Sequence, residues 1–160
     1  MKKLLAIAVI ITVFAASESF AQLQGSASVT MTLAAGGAVT SSTALQFGSQ
    51  VQGATNVTVA ASTASAAAFT LTGGSATHAY TVTWSTVPLT QGATTIPFTP
   101  SVIGGSTNVQ GSATSITSGS TVSSDATGSA WLWVGGTIAS IPSGAPTGSY
   151  TGTVTLSLAY

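Results

Sequence analysis

The sequence has no cysteine and almost no charge. Its 160 residues include two basic side chains, two acidic side chains and one histidine. Without cysteine, no disulfide can hold the fold together, so packing and backbone hydrogen bonds must do so. About a quarter of the residues in an ordinary globular domain are charged, and net charge keeps free monomers soluble. A chain with so little charge is expected to associate, which favours a protein that works inside an assembly.

The first 21 residues have the pattern of a secretory signal peptide. Lys2 and Lys3 form a basic start, residues 4–14 form an apolar run, and Ser19–Ala21 is a small-residue exit. The apolar run is shorter than the roughly 20 residues that a membrane-spanning helix needs. We therefore expect cleavage after Ala21, a mature chain that begins at Gln22, and no membrane span in that mature chain.

Few groups in the expected mature chain can carry chemistry. His78 is its only histidine and Asp125 its only acidic residue. General acid–base catalysis needs a tuned proton donor or acceptor and a group that orients it, and no nucleophile motif accompanies this pair. One histidine and one carboxylate are too few ligands for a zinc, copper or calcium site. We therefore expect no enzyme activity, no metal and no cofactor.

Nucleic acid is excluded as a partner by the same shortage of charge. Proteins bind the phosphate backbone by neutralising it with lysine and arginine. The only two basic residues, Lys2 and Lys3, lie in the segment that we expect to be removed. The mature chain would then have no basic side chain for such a contact.

Alternation with a period of two residues dominates the chain after Gly25. Threonine and serine alternate with aliphatic or aromatic residues, as in strands with one buried face. Paired glycines such as Gly36-Gly37 and Gly73-Gly74 separate the short runs and favour turns. Many short strands joined by such turns predict an all-β sandwich in a single domain.

The plainest strand pattern lies at the C-terminus. Thr151, Thr153, Thr155 and Ser157 alternate with larger side chains on the other face. The residues predicted to share that face in a C-terminal core strand are Tyr150, Val154, Leu156, Leu158 and Tyr160. Elsewhere, Pro97 interrupts the run from Thr95 to Phe98, and proline cannot donate to a sheet ladder, so this strand is expected at an edge or bulge. Residues 104–128 are rich in serine, threonine and glycine and predict a long loop or a weak hairpin.

The three tryptophans allow two interpretations. Trp131 and Trp133 would share one face of a strand, with Leu132 and Val134 on the other, so both faces require burial. A central strand covered by the core and by loops explains this pattern. Alternatively, Trp131, Trp133 or the more distant Trp84 lies at a subunit contact or forms a sugar-binding platform, because tryptophan is enriched at interfaces.

The segment from Ser26 to Leu33 also allows two interpretations. It alternates cleanly, placing Val29, Met31 and Leu33 on one face, and glycine-rich residues 34–38 follow it. Such a segment could add to the sheet edge of a second copy, with these three side chains filling the neighbour's groove as an inter-subunit donor strand. It could equally be the first strand of its own sandwich, since many domains begin with a strand.

Several stretches resemble a known group of proteins. Residues 45–48 (LQFG), 69–73 (FTLTG), and the ending 148–160, with its Gly-x-Tyr-Thr-Gly-Thr strand, are similar to secreted bacterial domains of unknown function that look like pilins. The resemblance implies an immunoglobulin-like, pilin-like β-sandwich with an N-terminal extension strand. It also implies export, donor-strand assembly and a C-terminal core strand. Chaperone–usher pilins carry a disulfide that this chain lacks.

These expectations together describe a structural protein. Residues 1–21 form the signal peptide, residues 22–38 the donor-strand segment and hinge, and residues 39–160 the sandwich domain. The predicted function is a structural subunit of a pilus-like extracellular filament, with copies of itself as partners. The alternative is a secreted carbohydrate-binding or adhesive module, with a glycan or cell surface as its partner. Either protein would be secreted and found outside the cell or at its surface.

Overall fold

A computed structural model describes residues 37–160, and nearly all of their regular structure is β-strand. The strands are β1 (Ala38–Thr43), β2 (Thr55–Val59), β3 (Ala67–Thr72), β4 (Ala79–Gln91), β5 (Thr94–Ile96), β6 (Thr99–Gly105), β7 (Thr114–Ile116), β8 (Thr121–Ser123), β9 (Ala130–Ser140) and β10 (Thr151–Ala159). The described residues contain no α-helix, only a single 3-10 turn at Gln110–Ser112. Accordingly, none of their helical structure is long and apolar enough to cross a bilayer.

The strands form two antiparallel sheets that pack face to face. The six-stranded sheet has the order β1-β3-β9-β6-β7, and β2 pairs with β9 beyond the end of β3. The four-stranded sheet has the order β10-β4-β5, and β8 pairs with the first part of β4. The predicted all-β sandwich is therefore confirmed.

Local sequence explains where the chain turns and where it changes sheet. Gly92 has a φ of 57°, which glycine adopts at little cost, and it begins the two-residue loop that joins β4 to β5. β5 lies at an edge and ends at Ile96, and β6 begins in the other sheet at Thr99. Pro97 therefore lies in the crossing between the sheets, where no ladder hydrogen bond is required of it.

The core lies between the sheets and is built around β9. Ala130, Leu132 and Val134 point inward and are completely buried, as is Val82 of β4. A second cluster of Ile96, Phe98 and Ile138 fills the opposite end of the sandwich. The period-two pattern of the sequence predicts such inward side chains at alternate positions of the central strands.

The outer face of the six-stranded sheet is partly covered by loops. Gln110 Nε2 donates to the carbonyl oxygens of Ala61 (2.6 Å) and Thr63 (2.9 Å), which joins the loop after β6 to the loop after β2. The backbone after β2 lies directly on Gly135 of β9, where a Cβ would come within 2.8 Å of the carbonyl carbon of Ala60. A glycine is required there because this contact leaves no space for a side chain.

Residues 104–128 are more ordered than a long loop. The three-residue strands β7 and β8 lie in this segment, and they belong to different sheets. Ile116 and Val122 are buried in the core and hold the two short strands in place. Of the two predicted alternatives, β7 agrees with the hairpin, because it pairs antiparallel with the preceding β6, whereas β8 was not predicted. Two well-placed apolar residues are enough to dock such short strands onto the sheets.

Candidate functional site

Among residues 37–160, the two sheets leave one side of the sandwich open between β1 and β10. Each of these strands has a single neighbour among the described strands, so each is an edge strand of this part of the chain. All six residues of β1 are exposed. On β10, Val154, Leu156 and Leu158 point toward the core but are only half-buried. An edge strand that presents unpaired backbone groups beside exposed apolar side chains is a ready surface for another strand.

A groove follows this open side, and we call it the edge groove. It has a volume of about 260 Å³ and is bounded by residues of β1 on one wall and residues 152–154 of β10 on the other. Its apolar lining consists of Ala44, Leu45, Phe47, Ala67, Phe69, Leu89, Phe98 and Val154. Leu45, Phe47 and Leu89 also line a wider depression of about 910 Å³ that continues past the end of the sheets. Leu156 and Leu158 extend the apolar row along β10 in the other direction.

The two walls of the edge groove differ in chemistry. The pairing of β1 with β3 places Val39 beside Leu71 and Ser41 beside Phe69, and both of these β3 partners contact the core. The inward positions of β1 are therefore a half-exposed valine and a serine, with Val39 38% exposed. The inward row of β10 is entirely aliphatic from Val154 onward. The stronger apolar attraction for an added strand thus comes from β10.

At the far end of β10, Tyr160 packs against a cluster of polar and aromatic side chains. Its hydroxyl hydrogen-bonds with Ser75 Oγ, and its ring packs on His78 and Tyr80 with centroid distances of 4.4 and 5.1 Å. The Tyr80 hydroxyl accepts a hydrogen bond from the Ser75 backbone N–H at 2.6 Å. Tyr160 itself is 68% exposed, so this residue of the predicted C-terminal core strand anchors the strand end from the surface.

The two tyrosines shift each other's acidity in opposite directions. The hydrogen bond with Tyr160, followed by burial, raises the pKa of Tyr80 above its ordinary value. The hydrogen bond with Ser75, followed by that with Tyr80, lowers the pKa of Tyr160. As the pH rises, Tyr160 is therefore expected to lose its proton before Tyr80 does.

Tyr150, the other tyrosine of the predicted C-terminal face, lies just before β10. It packs against the cluster of Ile96, Phe98 and Ile138, and its hydroxyl donates to the carbonyl oxygen of Pro146 at 2.9 Å. Val154 packs against the same cluster, so Tyr150 and Val154 both face the core, although β10 itself begins at Thr151.

The structure brings His78, Ser124 and Asp125 together, although their hydrogen bonds do not form a catalytic relay. The Ser124 hydroxyl accepts from the His78 backbone N–H (3.0 Å) and donates to the carbonyl oxygen of Ser75 (2.6 Å). Ser124 is only 3% exposed. The His78 ring packs against Tyr80 and Tyr160, and its buried Nε2 has no hydrogen-bond partner among the described residues. A serine fixed in this way is poorly placed to attack a substrate.

Asp125 has a local structural role in the loop before β9. Its Oδ1 accepts hydrogen bonds from Thr127 N, Thr127 Oγ1 and Ser129 N at 2.7–2.8 Å. These donors, first the Ser129 N–H and then the Thr127 hydroxyl, lower the pKa of the carboxyl group. Asp125 is a loop-closing acceptor, and the described residues contain no group of three or more potential metal ligands.

The three tryptophans occupy three different environments. Trp84 points into the sandwich and packs beside the core, and Trp133 lies on the outer face of β9 with only 7% of its surface exposed. Trp131, on the same outer face, is half-exposed, and its neighbours across the sheet are Thr70 and Gly105. Trp131 is therefore the tryptophan that is partly exposed on the outer face of β9.

The predicted donor residues Val29, Met31 and Leu33 lie outside the described residues. Sequence reasoning also did not identify the edge groove that could receive them. Leu45 and Phe47 were the part of its lining that the sequence pointed to, because they are two apolar residues that directly follow the polar strand β1.

Comparison with known proteins gives a family and no closer relative. No curated protein and no solved structure shows a significant match to this chain. The family described as "Domain of unknown function (DUF4402)" matches residues 18–160, which is most of the sequence. This chain therefore belongs to the DUF4402 family.

Proposed function

We propose that this protein is the structural subunit of an extracellular, pilus-like filament whose copies join by donor-strand exchange. The observation that carries the proposal is the half-buried apolar row of β10. Val154, Leu156 and Leu158 point toward the core of the sandwich, yet they remain half-exposed at an edge that no described strand covers. A strand added there would complete both the sheet and the core.

The segment Ser26–Leu33 has the composition that this position needs. Its alternating Val29, Met31 and Leu33 would enter the edge groove, while serine and threonine would remain outside. Burying each of these side chains contributes about 1.5–3 kcal/mol before the cost of ordering the segment. Backbone hydrogen bonds along eight residues would add to this gain, because no other strand among residues 37–160 pairs with this edge of β10.

The nearly uncharged surface supports a role in assembly. After the expected cleavage, Asp125 is the only acidic residue and no basic residue remains. Subunits without like charges do not repel one another at close contact, and salt has few ion pairs to screen. The covered edge would also no longer be available for unspecific aggregation.

A non-catalytic role agrees with the surroundings of the three residues that could form a triad. The Ser124 hydroxyl is buried and bonded to backbone groups, and Asp125 Oδ1 accepts three hydrogen bonds from its own loop. These contacts stabilise the end of the sandwich near Tyr160. We propose that they maintain the subunit and take no part in a reaction.

Negative-stain electron microscopy of the mature chain tests the proposal. Residues 22–160 should form filaments, and the same chain without residues 22–33 should remain monomeric or aggregate without order. A matched chain that lacks only residues 22–25 keeps the donor segment and should still form filaments. Uniform compact monomers from the intact mature chain would contradict the proposal.

A glycan-binding module is the second candidate, and Trp131 is the observation that favours it. This side chain is half-exposed on the outer face of β9 opposite Gly105, which leaves space above the sheet. Aromatic rings at such positions stack on sugar rings. Binding to insoluble polysaccharides that is lost in Trp131→Ala, and kept when the exposed Val51 is changed to alanine, would support this module. Equal retention of the intact chain and Trp131→Ala would exclude it.

A further inference from the structure

Resting on the proposed function, we infer that the donor segment of a second copy lies antiparallel to β10 in the edge groove. The occupant is Ser26–Leu33 of the second copy, and it hydrogen-bonds to the edge of β10 that no described strand covers. The acceptor is therefore β10, and the added strand runs in the opposite direction to it.

The position where the described chain begins limits what its own segment can do. A Cβ at Gly37 would lie 2.7 Å from Leu71 Cδ1 and 3.0 Å from the backbone nitrogen of Gly74. Gly74 adjoins Ser75, whose hydroxyl bonds with Tyr160 at the end of β10. The chain therefore enters the sandwich at the end where β10 finishes. From there β1 runs toward the opposite end, where Ser41 and Thr43 face Gly152 and Thr153 across the edge groove.

A subunit that filled its own groove could do so only with the segment parallel to β10. Leu33 is four residues before Gly37, so the two Cα atoms are at most about 14 Å apart. β1 alone covers about 17 Å from Ala38 to Thr43. Leu33 would therefore remain near the Tyr160 end, and Ser26 would lie toward Gly152. The segment would then run in the same direction as β10.

A second copy has no such restriction, and antiparallel pairing is slightly more stable per residue than parallel pairing. In the antiparallel arrangement Val29 lies beside Leu158, Met31 beside Leu156 and Leu33 beside Val154. Each copy would then give its donor segment to the next and receive one on β10. Such a contact between two different surfaces does not close on itself, so it propagates as a filament.

Single-cysteine variants can report the direction of the added strand, because the natural chain contains no cysteine that could form a competing disulfide. In the antiparallel register Ser28 lies beside Ala159, and in the parallel register it lies beside Thr153. Ala159 and Thr153 are exposed and lie about 20 Å apart along β10, whereas a disulfide needs Cα atoms within about 7 Å. All three substitutions are on faces that point away from the core, so the fold should tolerate them.

The experiment mixes separately purified single-cysteine copies, oxidises the assembled sample, and measures the mass of the products. A mixture of Ser28→Cys and tagged Ala159→Cys copies should give a disulfide dimer that contains one of each. A mixture of Ser28→Cys and tagged Thr153→Cys copies should give at least tenfold less of the mixed dimer. The same samples are imaged by electron microscopy, so filament formation is scored independently.

Each of the other possible outcomes would overturn one named part of the proposed arrangement. A dimer mainly with Thr153→Cys would show parallel pairing and overturn the inferred direction. Filaments without either dimer would overturn β10 as the acceptor while leaving the filament proposal intact. A monomer closed by an internal disulfide in the double variant Ser28→Cys/Thr153→Cys would show that the subunit fills its own groove. Absence of filaments from the cysteine-free chain would overturn the proposed function, and this inference with it.

Discussion

Leu156 of β10 lies directly opposite Trp84 of β4 in the antiparallel ladder, and both side chains are half-exposed although they point between the sheets. In a closed sandwich a cross-strand pair of this size would be buried, because such pairs supply much of a sheet's stability. Its partial exposure marks the side of the sandwich that no strand among residues 37–160 covers. The proposed function is built on this side.

A charge on the inner face of the donor segment should prevent filament assembly. Met31→Asp would place a carboxylate in the apolar edge groove, where an unpaired charge is costly to bury. Thr30→Asp puts the same charge on the other face of the same segment and is the matched control. Sedimentation and electron microscopy should show filaments for Thr30→Asp and at least tenfold fewer for Met31→Asp. Equal assembly of the two variants would contradict the assignment of the inner face.

A charge on the acceptor row should have the same effect without unfolding the subunit. Leu156→Asp changes a half-buried edge residue, and we expect the free energy of unfolding of the monomer to fall by about 1–3 kcal/mol. Filaments should be lost, because the donor would meet a charge in place of an apolar side chain. Ser157→Asp, on the exposed face of β10, should keep both stability and filaments. Circular dichroism verifies the fold, and filaments from folded Leu156→Asp would argue against β10 as the acceptor.

Gly135 should not tolerate a side chain, whereas Gly144 should. A Cβ at Gly135 would lie 2.5 Å from the backbone nitrogen of Ala61, and backbone atoms of a packed loop cannot move away cheaply. We expect Gly135→Ala to lower the free energy of unfolding by about 1–3 kcal/mol, the usual cost of overpacking. No atom lies within 4 Å of the corresponding Cβ position at Gly144. Urea denaturation should therefore separate the two alanine variants, and similar midpoints would refute the contact at Gly135.

Alkaline pH should destabilise the Tyr160 end of the sandwich only above about pH 10. The pKa of Tyr160 is lowered, so its contribution to stability grows as the pH rises toward the unfolded value of 10.0. The pKa of Tyr80 is raised, so its contribution is present below 10.0 and is lost as the pH rises from there toward the folded value. The unfolding temperature of the wild type should hold or rise slightly up to pH 10 and then fall.

Two tyrosine variants provide the control for this pH profile. Tyr160→Phe removes the group with the lowered pKa, so any rise in unfolding temperature below pH 10 should disappear. Tyr150→Phe leaves the Tyr80–Tyr160 pair intact and should follow the wild type. A wild-type unfolding temperature that falls steadily from pH 8 would be inconsistent with the opposed shifts.

The sequence alone was enough to predict the fold class and the strands that form the core. Alternation is a local property, because every second side chain of a strand points the same way whatever the strand pairs with. It therefore placed Leu132 and Val134 on the same face of a strand before any pairing was known. The small number of charged residues is likewise a property of the sequence alone, and it led to the expectation of no catalytic, metal-binding or nucleic-acid-binding site.

Only the tertiary structure decided which strands became edges and which side chains met. Trp131 and Trp133 have the same periodicity, yet loops that pack on the outer face of β9 bury one and leave the other half-exposed. Strand β10 has the pattern of a core strand, yet strand order places it beside only β4 among the described strands. Strand order depends on contacts between residues far apart in the chain, and local alternation carries no information about them. The open edge between β1 and β10 was therefore visible only once the two sheets were assembled.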